Sequence, residues 1–135
     1  MRKIICIQIS ILLLFCGCTQ KETTKQGFEY YKTSGYNYTL KDGKAVLIEK
    51  TVNKDDVIVI LPDEIDGYPV IGIGRYHYTF IYGETTRGML ENNESIKTVV
   101  LPSKLKMIDS QVFNWSSIQC IEFPNTLCNV GQFAL

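Results

Sequence analysis

The side chains that could do chemistry are few, and none stands in a pattern typical of a catalytic site. Cys120 and Cys128 lie eight residues apart, and the single histidine, His77, stands between two tyrosines. These spacings do not match a zinc site. Acidic pairs at residues 55–56 and 63–64 offer oxygen ligands for calcium, but their spacing matches no calcium-binding loop. Because no nucleophile, zinc-peptidase or phosphate-loop motif occurs, we predict no enzyme, no metal and no cofactor.

Aromatic side chains are concentrated in one short segment, where they recur at every second position. They are Tyr76, Tyr78, Phe80 and Tyr82, followed by a polar turn at residues 83–88. Aromatic rings offer a large contact area, which is why they recur in binding surfaces. Either the segment packs on the core, with Tyr78 inward, or its other rings contact a ligand.

The N-terminus predicts export. Arg2 and Lys3 precede an almost wholly apolar run at residues 4–15, which is shorter than the roughly 20 residues that a membrane-spanning helix needs. A basic start followed by a short apolar run is typical of a secretory signal. The next residues, Cys-Gly-Cys, resemble the bacterial lipobox, which implies that residues 1–17 are removed and that Cys18 is acylated. The alternative is an ordinary signal peptide cut nearby, which would release the protein from the membrane.

Charge and cysteine content narrow the list of partners. The whole chain has 14 basic and 14 acidic side chains, so loss of Arg2 and Lys3 leaves a slightly acidic protein. Without a basic stripe, no nucleic-acid partner is expected.

Only Cys120 and Cys128 lie outside the export segment. A disulfide between them is chemically allowed in an oxidising compartment, but we do not expect it, because their Cβ vectors are predicted to diverge.

The first part of the exported chain predicts a tether and a small β unit. Residues 18–26 are polar and lack large apolar side chains, which predicts a flexible tether. Residues 36–40 alternate apolar with polar side chains, as a half-buried strand does. An Asp-Gly pair follows, typical of a hairpin turn, and residues 45–48 form the return strand. We therefore predict an N-terminal β cap over residues 27–56.

The rest of the chain, residues 57–135, is self-similar. Residues 95–102 align with residues 117–124 at an offset of 22, and apolar anchors and a proline coincide. A related unit lies around Val59 and Pro62. A fixed period of this length is typical of architectures in which each unit buries its apolar side against its neighbours. We count about two to three repeats, with an insertion at residues 75–94. The predicted inward positions are Ile96, Val99, Leu101, Leu105, Ile108 and Phe113, above Ile118, Ile121, Phe123, Leu127, Val130 and Leu135.

These units carry a family resemblance. A strand ending in Leu-Pro, then Leu, Ile-Gly and Ala-Phe at fixed offsets, closely resembles the BspA-type leucine-rich repeats of bacterial surface lipoproteins. The resemblance covers most of residues 36–135, with Asp109 in place of the usual Gly and Leu135 in place of the usual Phe. It implies a β-rich leucine-rich-repeat solenoid of short strands, turns and short helical turns, with an N-terminal β-hairpin cap. It also implies surface exposure and non-catalytic protein recognition or adhesion.

These arguments combine into one functional hypothesis. Strand alternation turns some side chains outward, and with the aromatic segment they form the predicted ligand-binding set: Tyr76, Phe80, Tyr82, Thr98, Val100, Cys120 and Glu122. We expect a lipid-anchored binding module of the cell envelope, at the outer membrane or cell surface. Its partner would be a protein of the host or of another bacterial surface, or a glycan. The alternatives are a carbohydrate-binding accessory lipoprotein and a truncated remnant of a longer repeat protein, since the sequence stops at a core position, Leu135.

Overall fold

The computed structural model describes residues 19–23, 27–80 and 83–135. The predicted signal segment, Cys18 and Tyr82 lie outside these residues. The regular secondary structure in the described ranges is entirely β. The strands are β1 (Gln20–Thr23), β2 (Glu29–Thr33), β3 (Tyr36–Lys41), β4 (Lys44–Lys50), β5 (Ile58–Ile60), β6 (Glu64–Ile65), β7 (Tyr68–Ile73), β8 (Arg75–Phe80), β9 (Gly83–Gly88), β10 (Thr98–Val100), β11 (Met107–Ile108), β12 (Cys120–Glu122) and β13 (Asn129–Val130). Within the same ranges, no helix has the length and apolar character to cross a membrane.

The largest sheet has eight strands and mixes antiparallel with parallel pairing. Its order is β1-β2-β3-β4-β7-β11-β13, and β6 pairs with β7. The predicted hairpin turn between β3 and β4 is confirmed: Asp42 and Gly43 both have positive φ, as the tight turns that match strand twist require. Along the path from β4 through β7 and β11 to β13 the pairing is parallel, with Ala45 to Leu47 alongside Val70 to Ile73, whereas β6 pairs antiparallel with β7.

The first described residues lie in the range predicted to be a flexible tether, but they form regular structure. Residues 20–23 form β1, which pairs antiparallel with β2. Lys21 forms an ion pair with Glu29 at 2.8 Å, and the Thr19 hydroxyl donates to Asp66 at 2.7 Å. The polarity of this segment gave the wrong prediction because a strand at a sheet edge can pair through its backbone without burying apolar side chains.

Two parallel ladders connect the self-similar units. In the three-stranded sheet β12-β10-β5, Val59 pairs with Val99, and Val99 with Ile121. In the large sheet, Ile108 of β11 pairs with Ile73 of β7 and with Val130 of β13. Residues that the 22-residue offset aligns are therefore neighbours in adjacent strands.

The predicted fold class is wrong. The protein is a mixed β-sheet domain, and the described ranges contain no helical turn of the kind expected after each repeat strand. The antiparallel strands also do not form a separate cap, because β4 is hydrogen-bonded to β7 and both belong to the same sheet. The helical turns are missing because the segments after β11 and β13 contain residues with positive φ, namely Gln111, Trp115 and Phe133. Such residues interrupt the right-handed backbone that a helix needs.

The core lies between the two ladders, and its packing decreases toward β12 and β13. Val99, Leu101 and Ile108 are buried, as predicted, together with Ile96, Leu105 and Phe113. Their counterparts in the next unit are not equally covered: Ile121 is only partly buried and Phe123 is exposed. Val130 and Leu135, which were also predicted to face inward into the core, are exposed in the same way. Among the described strands, β12 and β13 each pair with one neighbour only, so these side chains are covered by the preceding unit alone.

Candidate functional site

The outward-facing side chains of the three-stranded sheet form the strongest candidate site. Val59, Val99 and Ile121 alternate inward, so the residues on either side of each point outward. The parallel register then places these outward residues in two rows across the three strands. We call this surface the outer face, formed by the first row Ile58, Thr98 and Cys120 and the second row Ile60, Val100 and Glu122.

The outer face is unusually apolar for a surface. Ile58 is 60% exposed, Ile60 is 67% exposed and Val100 is 45% exposed. Parallel sheets are normally covered on both faces, because their strands are apolar on both sides. Here one face of a parallel sheet is exposed and carries β-branched apolar side chains, so it lacks the layer that normally covers such a face. Contiguous exposed apolar surface of this kind usually marks a contact site.

A shallow depression of 410 Å³ runs along the β10–β12 side of this face. It is lined by Thr98, Val100, Cys120 and Glu122, and the exposed ring of Phe123 stands at its end. Cys120 is a free, exposed thiol in the structure, as is Cys128. Glu122 is the one charged side chain among the six residues of the outer face, so this surface offers broad apolar contact with a single anionic point.

Four of the seven predicted binding residues are thus brought together, and two further ones were missed. Thr98, Val100, Cys120 and Glu122 share the outer face, but Ile58 and Ile60 of β5 were not predicted. Alignment of Val59 with Val99 would have identified them, because it places Ile58 and Ile60 at the positions of the outward-facing Thr98 and Val100. The sequence analysis places a related unit around Val59 and Pro62 but does not assign which of its side chains point outward.

The aromatic segment lies on another part of the fold. Tyr76 and Phe80 belong to β8, which pairs with β9 as a two-stranded sheet of its own, with Tyr76 opposite Arg87. Residues 83–88, predicted to be a polar turn, are therefore a strand. Since β8 neighbours β4 and the outer face is carried by β5, β10 and β12, the structure separates the two halves of the predicted site onto different sheets.

The base of this aromatic hairpin is held by specific contacts. The guanidinium of Arg75 lies 3.4 Å from a carboxylate oxygen of Asp109. This contact gives a structural role to Asp109, one of the two positions at which the sequence departs from the BspA-type pattern it resembles. On the other strand, a Cβ added at Gly88 would lie 2.0 Å from the backbone oxygen of Gln111, so only glycine allows this approach. The hairpin is thus fixed at its base to the turn after β11.

The acidic pairs considered for calcium take part in turns. The Asp63 carboxylate accepts from the backbone N–H of Ser103 at 2.6 Å, and this hydrogen bond lowers the pKa of Asp63. The Asp56 carboxylate accepts from the backbone N–H of Asn53 at 2.8 Å. Across the residues whose structure is described, no three His, Cys, Asp or Glu side chains gather where they could hold a metal ion.

Comparisons with protein-family models, curated protein sequences and solved structures found no match for this chain.

Proposed function

We propose that this chain is a lipid-anchored surface protein that binds another protein through the outer face and performs no catalysis. The single observation that carries the proposal is the bare apolar side of the parallel sheet β12-β10-β5. Export and acylation at Cys18 are supported by the N-terminal sequence, and the BspA-type resemblance supports a role in surface recognition.

The energy available on the outer face fits part of a protein interface. Burying an Ile or Val side chain completely contributes about 1.5–3 kcal/mol, so Ile58, Ile60 and Val100, each roughly half to two-thirds exposed, offer about 3–5 kcal/mol together. Association itself costs about 4–15 kcal/mol. The three side chains can therefore form the apolar centre of a contact, and the partner must also touch the surrounding surface, including Phe123.

The chemistry of this face favours a protein over a glycan. Sugar-binding platforms use exposed aromatic rings beside several polar groups. The six residues of the outer face include no aromatic ring, and only Thr98 and Glu122 provide hydrogen-bonding oxygen atoms. The carbohydrate alternative rests on the aromatic sequence of β8 and remains a prediction of the sequence.

A pair of charge substitutions tests this proposal. The variant Ile60→Lys with Val100→Lys places two charges in the second row of the outer face, while Lys104→Glu changes an exposed charge outside this face and serves as the control. Binding of each purified protein to a panel of extracellular-matrix proteins and to a glycan array is measured, with thermal unfolding as the check of folding. We expect the double variant to lose protein binding at least tenfold and the control to keep it.

Two results would contradict the proposal. Wild-type binding by a folded double variant would show that the partner contacts another surface. Binding confined to the glycan array, and unchanged in the double variant, would favour the carbohydrate alternative.

A further inference from the structure

We infer that β5 binds an extended, positively charged segment of the partner protein as a fourth strand of the sheet β12-β10-β5. The binding site is the side of Ile58–Ile60 that faces away from β10, which we call the β5 edge. The inference deepens the proposed function and rests on it, since it states which part of the partner lies beside the outer face.

The backbone of β5 directs every second residue toward β10. The Val57 oxygen accepts from the N–H of Thr98 at 3.1 Å, and the Leu61 N–H donates to β10 at 3.0 Å. Because these directions alternate along a strand, the N–H and C=O groups of Ile58 and Ile60 point to the opposite side. They offer an extended chain the hydrogen bonds that strand addition uses.

The antiparallel strands complete one parallel ladder but not the other. In the large sheet, β4 pairs with β7, with Ala45 to Leu47 alongside Val70 to Ile73. In the three-stranded sheet, β10 is the one described strand that pairs with β5. The β5 edge is therefore open although strands on both sides of it in the sequence, β4 and β6, are paired.

The β5 edge has little protection against pairing. Within the described ranges, the one hydrogen bond on this side comes from the Tyr36 hydroxyl, 3.4 Å from the Ile60 oxygen. This distance is longer than the roughly 2.5–3.0 Å typical of a hydroxyl donor, so another strand can displace the contact. Natural edges commonly carry charges or proline, whereas Ile58–Ile60 has neither, and Val57, Ile58 and Ile60 are all more than half exposed.

Charge around the β5 edge indicates a cationic segment as its occupant. Residues 54–66 contain five acidic side chains and one basic side chain. Asp55 precedes the strand, Asp63 and Glu64 follow it, and all three are exposed. Lys104, whose charge acts on Asp63, offsets part of this negative charge. A segment with basic residues on both sides of an apolar centre therefore complements the edge.

The same charges disfavour a second copy of this chain. In a two-fold pairing through β5, the start of one strand faces the end of its equivalent. Asp55 and Asp56 of one copy would then lie near Asp63 and Glu64 of the other. Like charges on neighbouring strands are destabilising, so the β5 edge fits a different protein better than itself.

Three synthetic peptides probe the β5 edge. The first has two lysines at each end and alternating valine and threonine between them. The second has glutamates in place of the lysines, and the third is the lysine peptide with N-methyl groups on its central residues, which remove hydrogen-bond donors. The full chain is held in phosphatidylcholine nanodiscs, whose headgroups carry no net charge. Fluorescence anisotropy measures binding, and hydrogen exchange measures protection of the Ile58 and Ile60 amides.

Protein variants separate the backbone, the side chain and the charge. Ile58→Ala removes a side chain of the outer face and keeps the N–H, whereas Ile58→Pro also removes the N–H at a position where the β10 ladder does not use it. Asp55→Asn with Glu64→Gln removes two flanking charges. Asp42→Asn is the matched charge control, in the turn between β3 and β4, where asparagine tolerates the positive φ.

We expect the wild type to bind the lysine peptide at least about tenfold more tightly than either control peptide, with slower exchange of the Ile58 and Ile60 amides. Ile58→Pro should weaken binding about tenfold beyond Ile58→Ala. Asp55→Asn/Glu64→Gln should weaken it several-fold, and Asp42→Asn should leave it unchanged.

Several results would overturn the inference, and two of them use only the wild type. Equal binding of the N-methylated peptide, or unprotected Ile58 and Ile60 amides, would exclude strand addition even if Ile58→Pro does not fold. A wild-type dimer in sedimentation velocity that Ile58→Pro dissociates would show that a second copy fills the edge. No peptide binding, with the matrix-protein partner lost in Ile60→Lys/Val100→Lys, would refute the strand addition and leave the proposed function standing. Peptide binding at the edge with that partner retained in the same variant would refute the proposed function.

Discussion

Replacement of Ile108 by alanine should destabilise the protein strongly, because this side chain lies in the middle of a ladder. Ile108 is 2% exposed and stands between Ile73 of β7 and Val130 of β13. The substitution removes three carbon atoms, and each buried CH₂ contributes about 0.8 kcal/mol, which gives about 2.4 kcal/mol before any cavity is considered. Incomplete collapse of the cavity raises the expected loss into the range of about 2–5 kcal/mol.

The matched control makes the same chemical change on the surface. Ile58 loses the same three carbon atoms in Ile58→Ala, but its side chain is mostly exposed on the outer face. Surface substitutions usually change stability by no more than about 0.5 kcal/mol, and we expect that here. Urea unfolding followed by circular dichroism measures both variants against the wild type, with the slope m showing that each still unfolds in one step.

The comparison has a clear contrary result. If Ile58→Ala costs as much as Ile108→Ala, then Ile58 is buried in solution and the outer face is covered by the protein itself. If Ile108→Ala costs less than about 1 kcal/mol, the two ladders do not enclose a packed core.

Three further outcomes follow from single sites. Cys18→Ala should abolish labelling with a fatty-acid analogue, and persistent labelling would contradict acylation at this residue. Burial, and then the hydrogen bond to Asp66, raises the pKa of Tyr38, so its contribution to stability is full below about pH 10 and is lost as the pH rises toward the higher folded pKa. The urea midpoint of the wild type should fall as the pH rises above 10, and the midpoint of Tyr38→Phe should fall less. An equal decrease of the midpoint with pH in both proteins would refute this. Gly88→Ala should lower the melting temperature by several degrees, because its Cβ would collide with the backbone of Gln111, and an unchanged temperature would show that the hairpin is not held there.

Strand phase could be predicted from the sequence because it depends on a local period of two. Val99 is buried and Val100 is exposed, as the alternation in residues 98–100 predicts. The offset of 22 also identified the residues that pair between β10 and β12. These features need only neighbouring residues or a repeated pattern.

The wrong predictions depend on features that a repeat pattern does not contain. Burial of Phe123 requires a further layer, and the repeat pattern is the same whether or not that layer exists. The absence of helical turns depends on positive φ at Gln111 and Phe133, residue types that carry no strong signal for this conformation. Pairing of β1 depends on backbone bonds to β2, which leave no apolar pattern in residues 20–23.

If the protein is anchored at Cys18 as proposed, the hydrogen bond from the Thr19 hydroxyl to Asp66 limits how far the domain can extend from the membrane. If Cys18 carries the lipid, one peptide unit of about 3.8 Å separates the acylated residue from a side chain already fixed to the fold. The domain would then have almost no free linker, and its rotation about the anchor would be restricted. Partners would have to approach within the thickness of the domain itself, so recognition would be limited to molecules that lie close against the same bilayer.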